Sequence, residues 1–272
     1  MHYYLSMGGE RINWKNPQDL NEKINWLKFY SDTSQWTELA DKYRVRQYVK
    51  EKGLEHILTK LYGVWEDANQ IDFNALPKQF VLKTNHGCGT VIIVNNKEDL
   101  DLQKTRKTLN EWLKLEFGRD TAEPHYLGIK PVIIAEEFLQ PNSGELVDYK
   151  FFMADGKLQT VLLVSDRVIG ESYKLSTYDE NWHCVPERLS GTHSKDNVKP
   201  LPKPQTFEQM KQISEILSKD FPQVRVDLYE VNGNVYFGEL TFTSQGGYMS
   251  YFSKEELLRM GRNVTLPKKQ MK

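Results

Sequence analysis

Arg225-Val-Asp227 and Glu239-Leu-Thr241 flank an Asn232-Gly233 turn. They place two carboxylates and a guanidinium on strands that are otherwise apolar (Val224, Val226 and Leu228; Val235, Phe237 and Leu240). Burying carboxylates without partners costs several kcal/mol, so these groups need each other or a ligand. One reading is a salt bridge of Arg225 with Asp227 or Glu239 on a solvated sheet face. The other is a divalent metal held by the two carboxylates, with Arg225 beside a transferring phosphoryl group. Side chains alternate along a strand, so Arg225 and Asp227 share a face, and so do Glu239 and Thr241. A strict two-residue turn at Asn232-Gly233 would pair Asp227 with Gly238 and send Glu239 to the opposite face. The metal reading therefore requires a three-residue loop or a bulge.

Lys83 closes the apolar run Phe80-Val-Leu-Lys-Thr84 and precedes the glycine loop Asn85-His-Gly-Cys-Gly89. Loop amides and a lysine can together hold a phosphate, and the same pattern serves as an ordinary structural turn. His86 either donates to a phosphate or caps its loop. Asp166, Arg167 and Lys174 either clamp a substrate or form an exposed ion pair. Tyr178 and Trp182 either stack on a sugar or pack into the fold. His86-Gly-Cys88 and His183-Cys184 carry nitrogen and sulfur ligands but fit no standard zinc spacing. Without a GxGxxG or Walker A pattern, a Rossmann or P-loop nucleotide site is not expected.

The elements that position these groups follow from turns and periods. Asn16-Pro17-Gln18-Asp19 opens a helix that runs to about Tyr30, with Leu20, Ile24, Trp26 and Leu27 facing inward. A second helix is expected over residues 34–52, stopped by Gly53, with Leu39, Tyr43, Val45 and Val49 inward. Strands are expected at 80–84, 90–94 and 132–138, and a helix at 98–117 carrying Leu102, Leu109 and Leu113. Asp155-Gly156 joins a hairpin of 148–154 and 157–164. Residues 165–205 are polar and proline-rich, which predicts a long loop region. Helices at 206–219 and 254–260 bracket the 225–241 hairpin. Helices followed by hairpins, rather than βαβ units, predict an α+β fold.

The 272 residues, 39% hydrophobic with six Trp and fourteen Tyr, can bury a substantial core. A net charge of −1 marks no nucleic-acid partner. No apolar run approaches the length of a membrane span, and Met1-His-Tyr-Tyr-Leu-Ser6 does not read as a signal peptide. Two cysteines, Cys88 and Cys184, make no disulfide framework, so a reducing, cytoplasmic setting is expected.

The order of these features resembles the ATP-grasp superfamily. Within it, the chain looks like the TupA-like ATP-grasp proteins of bacterial cell-wall and capsular polysaccharide loci. The resemblance rests on Asn21-Glu-Lys-Ile-Asn-Trp-Leu27, Ala40-Asp-Lys-Tyr43, Asn85-His-Gly87, Ile134-Ala-Glu-Glu137, Asp148-Tyr-Lys-Phe151, Ser165-Asp-Arg167, Val224-Arg-Val-Asp-Leu228 and Phe237-Gly-Glu-Leu-Thr241. It implies two α+β subdomains gripping ATP: a lid over 79–137 and a C-terminal subdomain over 138–272, after a helical region 1–78 in place of the usual α/β domain.

The resemblance also implies roles. Lys42 and Lys83 would contact ATP phosphates, and Asn85, His86, Gly87 and Gly89 would belong to the loop closing over them. Glu136, Glu137 and Leu139 would form the adenine hinge, and Asp148 would face the ribose or its neighbourhood. Lys150 would reach a phosphate or the substrate. Asp227, Glu239 and Thr241 would hold Mg²⁺, and Arg225 would stabilise the transferred phosphoryl group. Thr241 departs from the Asn common at that position, which puts a second Mg²⁺ in doubt.

The activity implied is ATP-dependent amide formation through an acyl-phosphate. It would join an amino acid to a uronic acid or an amino sugar in capsule, O-antigen or cell-wall synthesis. A lipid-linked acceptor would bring the protein to a membrane surface. The alternatives are a glycosyltransferase of the same pathway, which would need a nucleotide-sugar site and typically an Asp-x-Asp motif, a kinase-like enzyme with Asp166 as its base, and a nucleotide-sensing module without turnover.

Overall fold

The computed structural model describes residues 11–142, 145–168, 172–190, 198 and 200–270, apart from the side chains of Arg167, Val168 and Ser172. In chain order these residues form α1 (Leu20–Tyr30), α2 (Ser34–Ala40), α3 (Val45–Glu51), β1 (Leu61–Trp65), β2 (Phe80–Thr84), β3 (Val91–Val94), α4 (Leu102–Trp112), α5 (Pro124–Leu127) and β4 (Ile133–Glu136). Then come β5 (Asp148–Ala154), β6 (Lys157–Val168), β7 (Ser172–Tyr178), α6 (Phe207–Ser218), β8 (Gln223–Val231), β9 (Asn234–Thr241) and α7 (Lys254–Arg262). The mixture is α+β, and contacts divide it into two units, 34–140 and 1–33 with 141–272. Among the described residues no helix is long and apolar enough to cross a membrane.

Unit 34–140 is built on an antiparallel sheet of order β1-β4-β2-β3. Phe80, Leu82, Val94, Ile133 and Ala135 pack with Leu109 of α4 to form its core. The single helix expected over 34–52 is two. Asp41 Oδ1 accepts the N–H groups of Tyr43 at 2.8 Å and Arg44 at 3.1 Å, which offers the backbone an alternative to helical bonds. Tyr43 is consequently exposed rather than inward. β1 has no counterpart in the sequence reading. All five of its residues are half-buried, so neither alternation nor a continuous apolar run marks it. α4 is shorter than 98–117 because Asp101 caps it, accepting from Lys104 N at 3.0 Å.

The other unit holds a five-stranded antiparallel sheet of order β7-β6-β5-β8-β9. Its α1 starts with a capping box: Asp19 accepts from Glu22 N at 2.8 Å while the Glu22 carboxylate reaches back to Asp19 N. α1 and α7 pack together. Leu20 and Ile24 of α1 and Leu257 and Met260 of α7 share a core with Phe152, Ala154, Leu162 and Val164 on one face of the sheet. α6 packs against β5, β6 and β8, with Phe207 stacked on Phe151. The long loop expected over 165–205 is in part sheet: β6 continues to Val168 and β7 follows. β7 buries Ser176 and Thr177 beside Leu175 and Tyr178, so its polar composition hides a buried strand.

The β8–β9 hairpin decides where the chemistry lies. Asn232 (φ 53°) and Gly233 (φ 78°) form a two-residue turn with both residues left-handed. The register then shifts: Leu228 pairs with Phe237 but Asp227 with Glu239. Gly238 is the extra residue, a bulge of the kind the metal reading requires. A Cβ there would lie 3.0 Å from the Asp227 carbonyl oxygen, so the close approach of the two strands favours glycine.

Candidate active site

Alternation and the bulge bring Asp148 and Lys150 of β5, Arg225 and Asp227 of β8, and Glu239 and Thr241 of β9 to one face. The groups meet. Lys150 Nζ lies 2.6 Å from Asp148 Oδ2 and 2.5 Å from Asp227 Oδ2. Arg225 donates to both oxygens of Asp227, at 2.6 and 2.7 Å, to Glu239 Oε1 at 2.9 Å and to Thr241 Oγ1 at 3.0 Å. Thr241 Oγ1 donates in turn to Glu239 Oε1 at 2.9 Å. The salt bridge of the first reading is thus present, but it is buried rather than solvated: the Asp227 side chain is 3% exposed and Arg225 12%, whereas Glu239 is 33% exposed.

Burial sets the electrostatics. It pulls the Arg225 guanidinium pKa down, but Asp227 and Glu239 pull it up by more, so it stands well above the ordinary arginine value. Burial likewise works against the Lys150 ammonium, and Asp148 with Asp227 reverses the balance, raising its pKa. Burial raises the Asp148 pKa; Lys150 opposes that and Asp227 adds to it. Two cations and three carboxylates of such proximity form one coupled network, in which loss of any member leaves a buried charge uncompensated. Two carboxylates and a hydroxyl, open to solvent at Glu239, match what a hard divalent cation takes from a protein when phosphate oxygens and water supply the rest. Among the described residues no group of three or more His, Cys, Asp or Glu gathers to hold a metal by itself.

A second set lies in unit 34–140. Lys83 on β2 pairs with Glu136 at the end of β4, and Glu136 Oε2 also accepts from Thr59 Oγ1 at 3.2 Å. Asn85 fastens the glycine loop to β4's approach, accepting from Val132 N at 2.8 Å and donating to Lys130 O at 3.0 Å. Lys42 contacts the same loop from the α2–α3 break: its N–H reaches Asn85 O at 3.1 Å and its Nζ reaches Gly87 O at 2.7 Å. Gly89 (φ 75°) and Cys88 form the exposed tip. His86 is buried with Nε2 at 3.1 Å from Leu115 O, and burial lowers its pKa. Its neutral ring has Nδ1 buried without a hydrogen-bond partner. Glu137 exchanges backbone and side-chain bonds with Lys60, at 2.9 and 3.2 Å, and Leu139 is half-buried.

The family model described as TupA-like ATPgrasp matches residues 22–264. The chain belongs to the TupA-like ATP-grasp family. No curated protein matches it. Among solved structures this family member is similar to D-alanine–D-alanine ligase from Helicobacter pylori, at 16% identity and a TM-score of 0.48, over 91% of this chain and 70% of that one. It is similar to the corresponding ligase from Bacillus anthracis complexed with ATP, at 17% identity and a TM-score of 0.45, over 89% of this chain and 62% of that one. It is also similar to the ATP-grasp ligase PsnB complexed with minimal precursor, at 12% identity and a TM-score of 0.45, over 89% and 66%. The ATP-grasp chain thus spans between 62% and 70% of the length of these ligases.

Among the remaining sequence candidates of the ATP-grasp chain, Asp166, Lys174, Tyr178 and Trp182 have partners of their own. Asp166 (φ 49°) pairs with Lys174 across β6 and β7, each about half exposed. The Arg167 side chain lies outside the described residues. Tyr178 and Trp182 stack on each other at 4.2 Å and are buried, so they are packing residues. Asp99-Leu-Asp101 has the Asp-x-Asp form a glycosyltransferase would use, and both carboxylates serve locally: Asp101 caps α4 and Asp99 accepts from Asn96 Nδ2 at 2.9 Å. The sequence reading missed two members of the network. Ser244 accepts from Arg225 at 3.3 Å, and the buried Tyr251 phenol interacts electrostatically with Arg225, its pKa pushed up to about 12 by burial. Both follow β9 in a segment without a motif, marked only by Gly246-Gly247.

Proposed function

We propose that this chain is an ATP-dependent carboxylate–amine ligase. The γ-phosphoryl group of ATP moves to a carboxylate oxygen, giving ADP and an acyl-phosphate; an amine then attacks the acyl carbon and expels phosphate. The observation that carries the reading is the buried network of Arg225, Asp227, Glu239 and Lys150 on one sheet face of a TupA-like ATP-grasp chain.

In this reading Asp227, Glu239 and Thr241 hold Mg²⁺, which when bound neutralises charge on the β- and γ-phosphates. Arg225 stabilises the phosphoryl group in transfer, a role that needs a permanent, preoriented cation, and its pairing with Asp227 supplies that orientation. Lys150 reaches a phosphate or the carboxylate, and Asp148 sets its position. Lys42 and Lys83 meet ATP phosphates, with Asn85, His86, Gly87 and Gly89 in the covering loop. Glu136, Glu137 and Leu139 line the adenine hinge through backbone groups. Residues 79–137 serve as the lid and 138–272 as the subdomain with the Mg/ATP site. Residues 1–78 lead in, and among the described ones lie α1, α2, α3 and β1.

The substrates we propose are a sugar precursor and an amino acid: a uronic acid amidated by the amino acid, or an amino sugar acylated by it, in capsule, O-antigen or cell-wall polysaccharide synthesis. Asp166, Arg167 and Lys174 are the candidate substrate contacts. A cytoplasmic setting fits Cys88 and Cys184, both free thiols. The test is a matrix of uronic acids, amino sugars and amino acids incubated with ATP and Mg²⁺, read by ADP release and product mass. An adduct lighter by one water than its two substrates, formed with one ADP, supports the ligase. A phosphorylated sugar, or consumption of a nucleotide sugar without ADP, contradicts it.

A further inference from the structure

α1 carries three polar side chains at fully buried positions: Asn21 at 4%, Asn25 at 0% and Lys28 at 1% exposure. Their spacing puts all three on one helix face. Burying two carboxamides and an ammonium is costly where apolar side chains would serve as well for packing, and Leu20 and Ile24 beside them do serve that way. All three reach one distant segment, with Asn25 also donating to Asn21 O of its own helix at 2.9 Å. Asn21 exchanges two bonds with the Met249 backbone, at 2.9 and 3.1 Å. Asn25 donates to Gly247 O at 2.8 Å and Lys28 Nζ to Gly246 O at 2.8 Å. Tyr248 places its ring 5.2 Å from the same ammonium.

The segment they hold is left-handed at three successive residues, Gln245 (φ 46°), Gly246 (φ 64°) and Gly247 (φ 79°); the glycines adopt this without strain, whereas at Gln245 it persists only where the surroundings impose it. Gly247 is fitted tightly to the helix: a Cβ there would lie 2.8 Å from Asn25 Nδ2. The residue that opens the segment is Ser244, whose hydroxyl touches Arg225.

We propose that Asn21, Asn25 and Lys28 are positioning residues of the catalytic centre: by holding the backbone of residues 246–249 they keep Ser244 against Arg225. The positioning role rests on the ligase reading; the clamp itself does not. Hydrogen exchange and turnover separate the two. In Lys28→Met, which keeps the apolar stem and removes the donor, the amides of Gly246, Tyr248 and Met249 exchange at least about 10-fold faster while β8 and β9 amides hold. ADP release from ATP and Mg²⁺, in the presence of the uronic acids, amino sugars and amino acids of the substrate matrix, then loses roughly 10-fold in kcat with KM for ATP unchanged, the pattern of a transition-state interaction. Unchanged exchange overturns the clamp, and faster exchange with unchanged kcat overturns the positioning role. If Lys28→Met does not fold, wild-type exchange decides: these loop amides must be as protected as those of β8, and rapid exchange overturns the proposal. A wild type that consumes no ATP with any member of that matrix removes the ligase reading and the positioning role with it, leaving the clamp to the exchange data.

Discussion

Asp227 faces Glu239 across β8 and β9 because Gly238 is bulged out of the ladder between Phe237 and Glu239. Without that bulge Gly238 would pair with Asp227, and Glu239 would lie on the far face of the sheet, away from Arg225. One glycine therefore assembles the two carboxylates, the guanidinium and the Thr241 hydroxyl.

Deleting Gly238 tests this directly. The ladder then closes without a bulge, Glu239 follows Phe237 directly and still falls opposite Asp227, and Mg²⁺-dependent ATP binding is retained; its loss would show that the glycine itself, rather than the pairing, is what the site needs. Gly238→Ala keeps the register but sets a Cβ 3.0 Å from the Asp227 carbonyl oxygen. Overpacking of this kind costs about 1–3 kcal/mol, read as a fall in Tm with ATP binding retained.

Lys150→Met leaves Asp148 and Asp227 without the ammonium that lies 2.6 and 2.5 Å from them. Removing one member of a buried charge network costs about 3–5 kcal/mol, and denaturant unfolding measures it. Lys174→Ala breaks an ion pair that is about half exposed on both sides. Its cost stays within roughly 1 kcal/mol, so a larger loss would assign Lys174 a structural role.

Tyr251 links pH to stability. Its phenol titrates at about 12 in the fold, raised by burial from 10.0. A raised folded-state pKa means the neutral phenol is favoured in the native protein. The stabilisation is therefore complete below pH 10.0 and is lost as pH rises toward 12. Tyr251→Phe flattens the alkaline limb of the stability profile and removes one late-ionising phenol from the absorbance titration; an unaltered titration contradicts the assignment.

Much of this was legible in the residues. Asn232-Gly233 between alternating apolar positions specified the hairpin, and the requirement that Asp227 meet Glu239 left a three-residue loop or a bulge. Gly238, a glycine inside a strand, was the signal for where it falls. Asp41 hid the break between α2 and α3, since the helical period runs through it and only its side-chain bonds to Tyr43 and Arg44 interrupt the backbone. β7 was hidden by buried Ser176 and Thr177. Ser244 and Tyr251 reach Arg225 through tertiary packing, which no local pattern encodes. Nothing local marks Asn21, Asn25 and Lys28 as buried; their partners more than two hundred residues away account for it.

The central claim is that the β8–β9 carboxylates bind Mg²⁺ together with ATP. Calorimetric titration of ATP with and without Mg²⁺, on wild type, Glu239→Gln and the Asp227→Asn/Glu239→Gln pair, tests it most directly. The account predicts Mg²⁺-dependent binding by wild type, weakened by at least about 10-fold in Glu239→Gln and absent in the pair. Binding indifferent to Mg²⁺ and to both substitutions, or no nucleotide binding by a folded wild type, would contradict it and leave the network as a buried salt bridge.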